Sequence, residues 1–273
     1  MDAEQGDTNS RSHLLAFEDA EFLRSDEMRP LRLALEFSKA DLALTEKGIA
    51  STIVVFGSSR ILSPDEAREA LCQAHDPASL ERAKHQVEFS AWYQEARTLG
   101  RIVSERGGAL ATGAMRQNVI VTGGGPGIME AANRGAAEAG APSIGFNIVL
   151  PIEQPPNPYI TPDLMFCFHY FAIRKMHFAM RANALAIFPG GLGTMDELFE
   201  ILALKQTRKC GLMPVILFSR DYWRTMINFE ALVALGMIDG EDAGLFEIVD
   251  TAEEAWTVLI RRGLMAQTPL REP

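Results

Sequence analysis

Cysteine is scarce in this chain of 273 residues, and long hydrophobic runs are missing from it. The three cysteines, Cys72, Cys167 and Cys210, lie far apart and form no CxxC pair. An odd, scattered set of this kind favours free thiols in a reducing compartment over a disulfide scaffold or a zinc site. No apolar run approaches the ~18 residues of a membrane-spanning helix, and the polar opening MDAEQGDTNSRSH is unlike a signal peptide. We therefore expect a cytoplasmic protein with no membrane partner and no metal.

Basic residues are also few, with 26 Lys and Arg against 36 Asp and Glu, which gives a net charge of −10. A negative surface argues against a nucleic acid as partner. Any phosphate site must then be local, built from backbone amides and a few basic side chains. The content of 47% hydrophobic and 23% charged residues is typical of a globular enzyme.

Apolar, strand-like runs alternate with helical patterns along most of the chain. This alternation predicts an α/β fold, a Rossmann-like doubly wound parallel sheet of about seven strands with helices on both faces. The predicted strands are 52–56, 119–121, 142–150, 164–170, 184–188, 214–218 and 245–249. The predicted helical segments include 14–47, 76–106, 171–183, 221–235 and 252–262, with further helices starting near residues 63, 128 and 194.

The expected domain organisation is simple. Residues 1–50 form a disordered start, to about residue 13, followed by an N-terminal helical extension. Residues 51–265 form a single Rossmann-like domain, and residues 266–273 form a tail.

The densest group of functional signals is ALAIFPGGLGTMDELFE, residues 184–200. An apolar strand leads into Gly190, Gly191 and Gly193, and Thr194 opens a segment with helical spacing. A helix N-terminus presents unpaired N–H groups and the positive end of the helix dipole, and glycines let an anion approach the backbone closely. The turn therefore predicts a phosphate site.

Two carboxylates, Asp196 and Glu197, fall in the first turn of this predicted helix. Acidic residues there often do no more than complement the helix dipole. The alternative is that one of them stands beside a bound phosphate ester and takes part in chemistry.

Two further turns follow predicted strands, after residues 56 and 121. Small residues at the carboxyl end of a strand suit the close approach of a ligand in an open α/β sheet, although each turn alone is also consistent with an ordinary tight turn. Phosphate on one glycine turn and sugar on another is the simplest interpretation. The candidate ligand contacts in these turns are Gly57, Ser58, Ser59, Gly123, Gly124, Gly125, Gly127 and Glu130.

Four stretches together resemble the LOG (Lonely Guy) family of phosphoribohydrolases, which older labels call lysine decarboxylases. The stretches are GSSR at 57–60, TGGGPGIMEAA at 122–132, the pair Arg174-Lys175, and PGGLGTMDE at 189–197. The last of these matches the family signature PGGxGTxxE. The resemblance covers roughly residues 51–260.

This resemblance implies hydrolysis of the N-glycosidic bond of a nucleoside 5′-monophosphate, giving a free base and ribose 5-phosphate. It implies that Arg174 and Glu197 are catalytic, and that Lys175, Thr194 and Asp196 join the glycine turns in binding substrate. It also implies a homodimer or higher oligomer and no cofactor. The resemblance leaves the base open: AMP is the more general expectation for the substrate, and a cytokinin riboside 5′-monophosphate is the narrower one.

The chemistry of the bond supports the same two residues. Cleaving a C1′–N bond builds positive charge on the ribose, so a carboxylate such as Glu197 stabilises the transition state and can deprotonate water. A cation such as Arg174 can hold the 5′-phosphate or stabilise negative charge on the departing base.

Two other functions would also use parts of this sequence pattern. A Rossmann-like protein can bind a nucleotide or a molybdopterin-type cofactor without cleaving it, but a carboxylate at Glu197 contributes nothing to a pure anion binder. A pyridoxal-phosphate lysine decarboxylase needs a Schiff-base lysine, and no pyridoxal motif surrounds Lys175.

Overall fold

The computed structural model describes residues 11–112, 115–150, 155–211 and 213–264. Most of the segment that we predicted to be disordered lies outside these ranges, as does the predicted tail 266–273.

Seven parallel strands form one sheet in the described part of the chain. They are β1 (Thr52–Phe56), β2 (Val119–Thr122), β3 (Ser143–Ile148), β4 (Met165–Phe168), β5 (Ala182–Ile187), β6 (Val215–Phe218) and β7 (Glu247–Val249). Their spatial order is β4-β3-β2-β1-β5-β6-β7, and every neighbouring pair is parallel. The predicted Rossmann-like α/β fold is confirmed.

The two central strands, β1 and β5, are buried along their whole length. Their mostly apolar sequences reflect this position, because a strand with helices on both faces has no solvent-exposed side. Ile53 pairs with Ile120 of β2 on one side and with Ala184 of β5 on the other.

Ten α-helices lie among the described residues. They are α1 (Ala20–Arg24), α2 (Arg29–Glu46), α3 (Pro64–Cys72), α4 (Pro77–Arg106), α5 (Ile128–Glu138), α6 (Phe171–Met180), α7 (Leu192–Gln206), α8 (Arg220–Met226), α9 (Phe229–Ala234) and α10 (Ala252–Arg261). Ser63 caps α3 in a capping box with Glu66, as the Ser-Pro-Asp-Glu sequence predicts. None of these described helices is both long and apolar enough to cross a membrane.

Two hydrophobic cores lie on opposite faces of the sheet. Val54 and Leu185 face one core, which α2, α6, α7, α8 and α9 complete. Ile53 and Ala184 face the other, which α4, α5 and α10 complete. Neighbouring residues of each strand thus serve different cores, as the strand period of two requires.

The predicted helices 14–47 and 221–235 are each divided in the structure. Asp19 caps the short helix α1 with its side chain, and α2 begins separately with Pro30 in its first turn. The second segment breaks at Ile227, after which Asn228 accepts a hydrogen bond from the Ala231 amide at 2.8 Å and starts α9. At the second break the Asn228 side chain offers the backbone an alternative to continuing the helix, whereas α2 begins after Met28 without a side-chain cap.

The predicted helix 171–183 also ends early, at Met180, because β5 begins at Ala182. Between them, Arg181 is only 2% exposed. Its guanidinium donates to the Ile49 carbonyl, to the Thr45 hydroxyl at 2.9 Å and to the Asp41 carboxylate. The buried Arg181 guanidinium thus links α2 to the start of β5 through hydrogen bonds.

The order of the strands creates a crevice between β1 and β5. From β1 the chain moves outward through β2, β3 and β4, and then returns to the other side of β1 to form β5. The connections that follow β1 and β5 therefore leave in opposite directions. Open α/β sheets bind ligands at such a switch point, outside the carboxyl ends of the strands.

Candidate active site

A cleft of about 690 Å³ opens at this switch point. Its volume is in the range of small-molecule sites. The cleft is lined by Phe56, Gly57, Ser58, Ser59, Arg60, Met129, Phe171, Arg174, Gly191, Leu192, Gly193, Thr194, Asp196 and Glu197. Both predicted catalytic residues and the turns after β1 and β5 thus meet in one place.

Backbone hydrogen bonds tie the three glycine turns together through Ser58. The Ser58 amide donates to the Pro189 carbonyl at 3.0 Å, and the Ser58 carbonyl accepts from the Ile128 amide at 3.2 Å. Because Pro189 precedes α7 and Ile128 begins α5, the β1 turn fixes both helix starts relative to each other. The floor of the cleft is therefore rigid backbone.

The N-terminus of α7 is open toward the cleft. The helix begins at Leu192 with Gly191 as N-cap, and no side chain caps its first amides. A Cβ at Gly190 would lie 3.0 Å from the Ser58 nitrogen, so the turn needs glycine for this close approach. The Gly190 carbonyl accepts a 2.5 Å hydrogen bond from the Tyr222 hydroxyl. Uncapped amides at a helix start are suited to an anion such as phosphate.

The sequence predicted Asp196 and Glu197 in the first turn of the helix, but the structure places them elsewhere. Because α7 starts at Leu192 and not at Thr194, both carboxylates fall in its second turn, and the first turn holds no acidic residue. The effect of the helix dipole is largely confined to the first turn. Complementing the dipole therefore does not account for these carboxylates.

Glu197 is a buried carboxyl group, 8% exposed, that reaches the wall of the cleft. Burial raises its pKa to about 7, although the positive charges of Lys175 and Arg174 act in the opposite direction. A carboxyl group with this pKa exchanges protons near neutral pH.

Arg174 projects from α6, and a hydrogen bond and an aromatic ring hold its side chain in place. Its Nε donates to the Phe146 carbonyl at 2.8 Å, and its guanidinium carbon lies 5.2 Å from the centre of the Phe178 ring. Burial lowers the pKa of Arg174, and the charge of Glu197 opposes that shift. Among the described residues its terminal nitrogens have no hydrogen-bond partner, so they are available to a ligand.

Lys175 turns away from the cleft lining. Its Nζ lies 2.8 Å from an oxygen of Asp196 and 2.7 Å from one of Glu200, and the side chain is 17% exposed. Burial lowers the pKa of Lys175, but these two carboxylates outweigh burial and raise it overall. Lys175 is thus engaged with α7, whereas its neighbour Arg174 faces the cleft.

The glycines of the second turn, Gly123, Gly124, Gly125 and Gly127, are buried and are not part of the cleft lining. A Cβ at Gly123 would lie 2.6 Å from Nη2 of Arg174. This turn therefore lies behind Arg174 and leaves room for its guanidinium. Glu130 is also outside the lining, and its carboxylate accepts a 2.8 Å hydrogen bond from the Tyr93 hydroxyl.

A buried network of polar side chains holds the second turn in place. Asn133 accepts hydrogen bonds from the Thr122 hydroxyl at 2.7 Å and from the Asn157 amide at 3.0 Å. The same Asn157 amide donates to the Gly125 carbonyl at 3.0 Å. These asparagines come from α5 and from the proline-rich segment after β3, so no local motif reveals them.

Several residues of the site were missed by sequence reasoning. Arg60, Met129 and Phe171 line the cleft, and Tyr222 supports its glycine turn. Arg60 stands at the end of the quoted GSSR stretch, and the charge of its side chain was a signal that could have been used. The described residues contain no cluster of three or more His, Cys, Asp or Glu that could hold a metal ion.

Residues 129–259, which include Arg174 and Glu197, match the sequence model of a family described as "Possible lysine decarboxylase". That description is the older label of the LOG family. The resemblance to the LOG family is confirmed.

Two curated relatives match part of this chain. One is the pyrimidine/purine nucleotide 5′-monophosphate nucleosidase of Escherichia coli (strain K12), 34% identical over 134 residues, which cover 42% of this chain and 28% of that protein. The other is the probable cytokinin riboside 5′-monophosphate phosphoribohydrolase LOG4 of Oryza sativa subsp. japonica, 36% identical over 88 residues, which cover 32% of this chain and 38% of that protein. The chain thus spans well under half the length of the curated relatives it matches.

Among solved structures, the Moco carrier protein from Chlamydomonas reinhardtii aligns with a TM-score of 0.47 and 19% identity. The alignment covers 78% of this chain and 97% of the carrier.

Proposed function

We propose that this chain hydrolyses the N-glycosidic bond of a nucleoside 5′-monophosphate to a free base and ribose 5-phosphate. The observation that carries the proposal is the buried Glu197 carboxyl, which shares a cleft with Arg174 and with an uncapped helix N-terminus. The names of the bacterial and rice relatives, a nucleosidase and a phosphoribohydrolase of 5′-monophosphates, support the same reaction.

In the proposed reaction, Glu197 acts on the ribose ring. Its carboxylate stabilises the positive charge that develops at C1′ and takes a proton from the attacking water, whose oxygen bonds to C1′. The electron pair of the C1′–N bond leaves with the base, which takes up a proton. A pKa of about 7 suits a group that must accept and return a proton at neutral pH.

Arg174 is the second residue of the proposed mechanism. Its free terminal nitrogens can stabilise negative charge on the departing base, or they can hold the phosphate. The low-polarity surroundings, with the Phe178 ring 5.2 Å away, strengthen either interaction relative to water.

The competing function is binding of a nucleotide or a molybdopterin-type cofactor without cleavage. The open N-terminus of α7 supports such a role as well as it supports hydrolysis. Glu197 favours hydrolysis over binding alone. A carboxylate close to a bound anion weakens binding by charge repulsion, so it is useful to the protein only if it takes part in a reaction.

The proposal is tested by incubating purified protein with AMP, isopentenyladenosine monophosphate and the other common nucleoside monophosphates, and measuring free base by chromatography. We expect base release that falls by roughly 10² or more in Glu197→Gln and in Arg174→Ala. Glu253→Gln is the matched control, because Glu253 is exposed and pairs with Arg106 on α4. Nucleotide binding without release of any base would contradict hydrolysis and support the carrier function.

The same panel identifies the substrate. We propose AMP as the general substrate, and a cytokinin riboside monophosphate as the narrower alternative. A homodimer in the cytoplasm also remains a proposal, which light scattering on the purified protein and localisation of the tagged chain test directly.

A further inference from the structure

We propose that Arg60 binds the 5′-phosphate of the nucleotide and so makes the site prefer a nucleoside monophosphate over the free nucleoside. This inference rests on the proposed function. It assigns a substrate-binding role to a side chain that lines the cleft together with the N-terminal turn of α7.

The backbone at Arg60 is fixed beside the anion site. Its amide donates to the Ser58 hydroxyl at 3.1 Å, and the Ser58 amide is bonded to the Pro189 carbonyl at the turn before α7. The β1 turn thus holds the start of the arginine side chain close to the uncapped amides that begin at Leu192. A guanidinium and backbone amides together provide the bidentate, charge-assisted contacts that phosphate favours.

Arg60 is also an available cation at the cleft. Its side chain is exposed, and no carboxylate of the described residues lies within ion-pair distance of it. Lys175, by contrast, is paired with two carboxylates of α7, and Arg174 is half-buried beside Glu197.

The charge balance of the cleft favours such a cation. A phosphate dianion would approach the exposed Asp196 and the partly ionised Glu197, in a chain whose net charge is −10. Repulsion between the phosphate and these carboxylates opposes binding unless a local positive charge offsets it. If Arg60 binds the phosphate, Arg174 can interact with the departing base at the bond that Glu197 helps to break.

A second pocket gives the competing role for Arg60. This pocket, of about 270 Å³, adjoins the cleft at Ser58 and Arg60 and is otherwise lined by residues that include Ile61, Gln86 and Phe89. If the arginine turned into that pocket, it would contact the base or another part of the ligand. The two roles differ in what they predict for ribose 5-phosphate, which carries the phosphate but has no base.

The experiment measures binding of ribose 5-phosphate and of ribose by titration calorimetry, for the unmodified protein, Arg60→Ala and Arg60→Lys. We expect Arg60→Ala to weaken ribose 5-phosphate binding by roughly tenfold to a hundredfold, because a charge-assisted contact is lost. Arg60→Lys should recover part of the loss, and ribose binding should stay unchanged. Arg68→Ala is the matched control, because Arg68 is exposed on α3 and pairs with Asp65.

Kinetics with AMP and adenosine complete the test. We expect Arg60→Ala to raise KM for AMP with a smaller effect on kcat, and to leave adenosine unaffected. Unchanged ribose 5-phosphate binding in Arg60→Ala, or an altered preference among bases alone, would overturn the assignment. So would failure of the unmodified protein to bind ribose 5-phosphate. Binding that depends on Arg60 without cleavage of any nucleotide would sustain the assignment and refute hydrolysis.

Discussion

At the scale of single residues, burial of the Glu197 carboxyl group lowers the stability of the folded protein near neutral pH. A carboxyl group ordinarily ionises near pH 4.5, and burial raises the pKa of Glu197 to about 7. Between these two pH values the folded chain keeps a proton that the unfolded chain has already lost. The free energy of unfolding therefore falls as the pH rises through this window. A group that costs stability at working pH is consistent with a role in function.

Replacing Glu197 by Gln should remove this pH dependence. The shift from 4.5 to about 7 corresponds to about 3 kcal/mol in total, most of which falls between pH 5 and pH 8. We expect the unmodified protein to lose most of this amount relative to Glu197→Gln over this range, as measured by urea denaturation. An equal loss in both proteins would show that Glu197 titrates near its ordinary value.

At the scale of elements, helices α4 and α5 pack unusually closely against each other. A Cβ at Gly135 of α5 would lie 2.8 Å from the Arg101 nitrogen and 2.9 Å from the carbonyl carbon of Arg97. A Cβ at Gly100 of α4 would lie 3.1 Å from the carbonyl carbon of Ala132. Both neighbours are backbone, so they cannot move aside without separating the helices.

Gly135→Ala should therefore destabilise the protein. We expect a loss of about 3 kcal/mol, at the upper end of the cost of overpacking, because the obstruction is backbone. Gly240→Ala is the control, because a Cβ there meets no atom within 4 Å. Thermal unfolding of both variants measures the difference, and equal melting temperatures would mean that α4 and α5 separate without cost.

The helices and strands also show which parts of the fold could be predicted from the sequence. Strands such as β1 were correctly identified because burial on both faces leaves an apolar run, and the glycine turns because helix starts have local signatures. Helix 221–235 was predicted as one element because its apolar spacing continues through Ile227. The sequence around Thr194 did not predict the first residue of α7. It also did not predict that Asn133 and Asn157 support the second turn, because that support depends on contacts between distant segments.

At the scale of the whole molecule, the helix α2 is joined to the sheet by buried charge. Arg181 is 2% exposed and pairs with Asp41, whereas Lys47 and Asp163 form a second, exposed link to the same helical segment. A buried charge that loses its partner is costly, but an exposed pair contributes little.

Removing the two carboxylates separately should give different results. We expect Asp41→Ala to lower the free energy of unfolding by about 2 kcal/mol, since Arg181 keeps its carbonyl and hydroxyl partners but loses its counter-charge. Asp163→Ala should have little effect on the free energy of unfolding, because this ion pair is exposed to solvent. Urea denaturation of both variants measures these values, and a similar small loss in each would show that α2 is held mainly by apolar packing.

The central claim is that the ionised Glu197 carboxylate cleaves the glycosidic bond, and a pH profile of kcat/KM for base release from AMP tests it most directly. Since the carboxylate is the active form, we predict that kcat/KM rises with pH up to about 7 and then levels off. Glu197→Gln should reduce the rate at every pH and abolish the rise. A Glu197→Gln variant that releases base at the unmodified rate, with the same pH profile, would contradict the account.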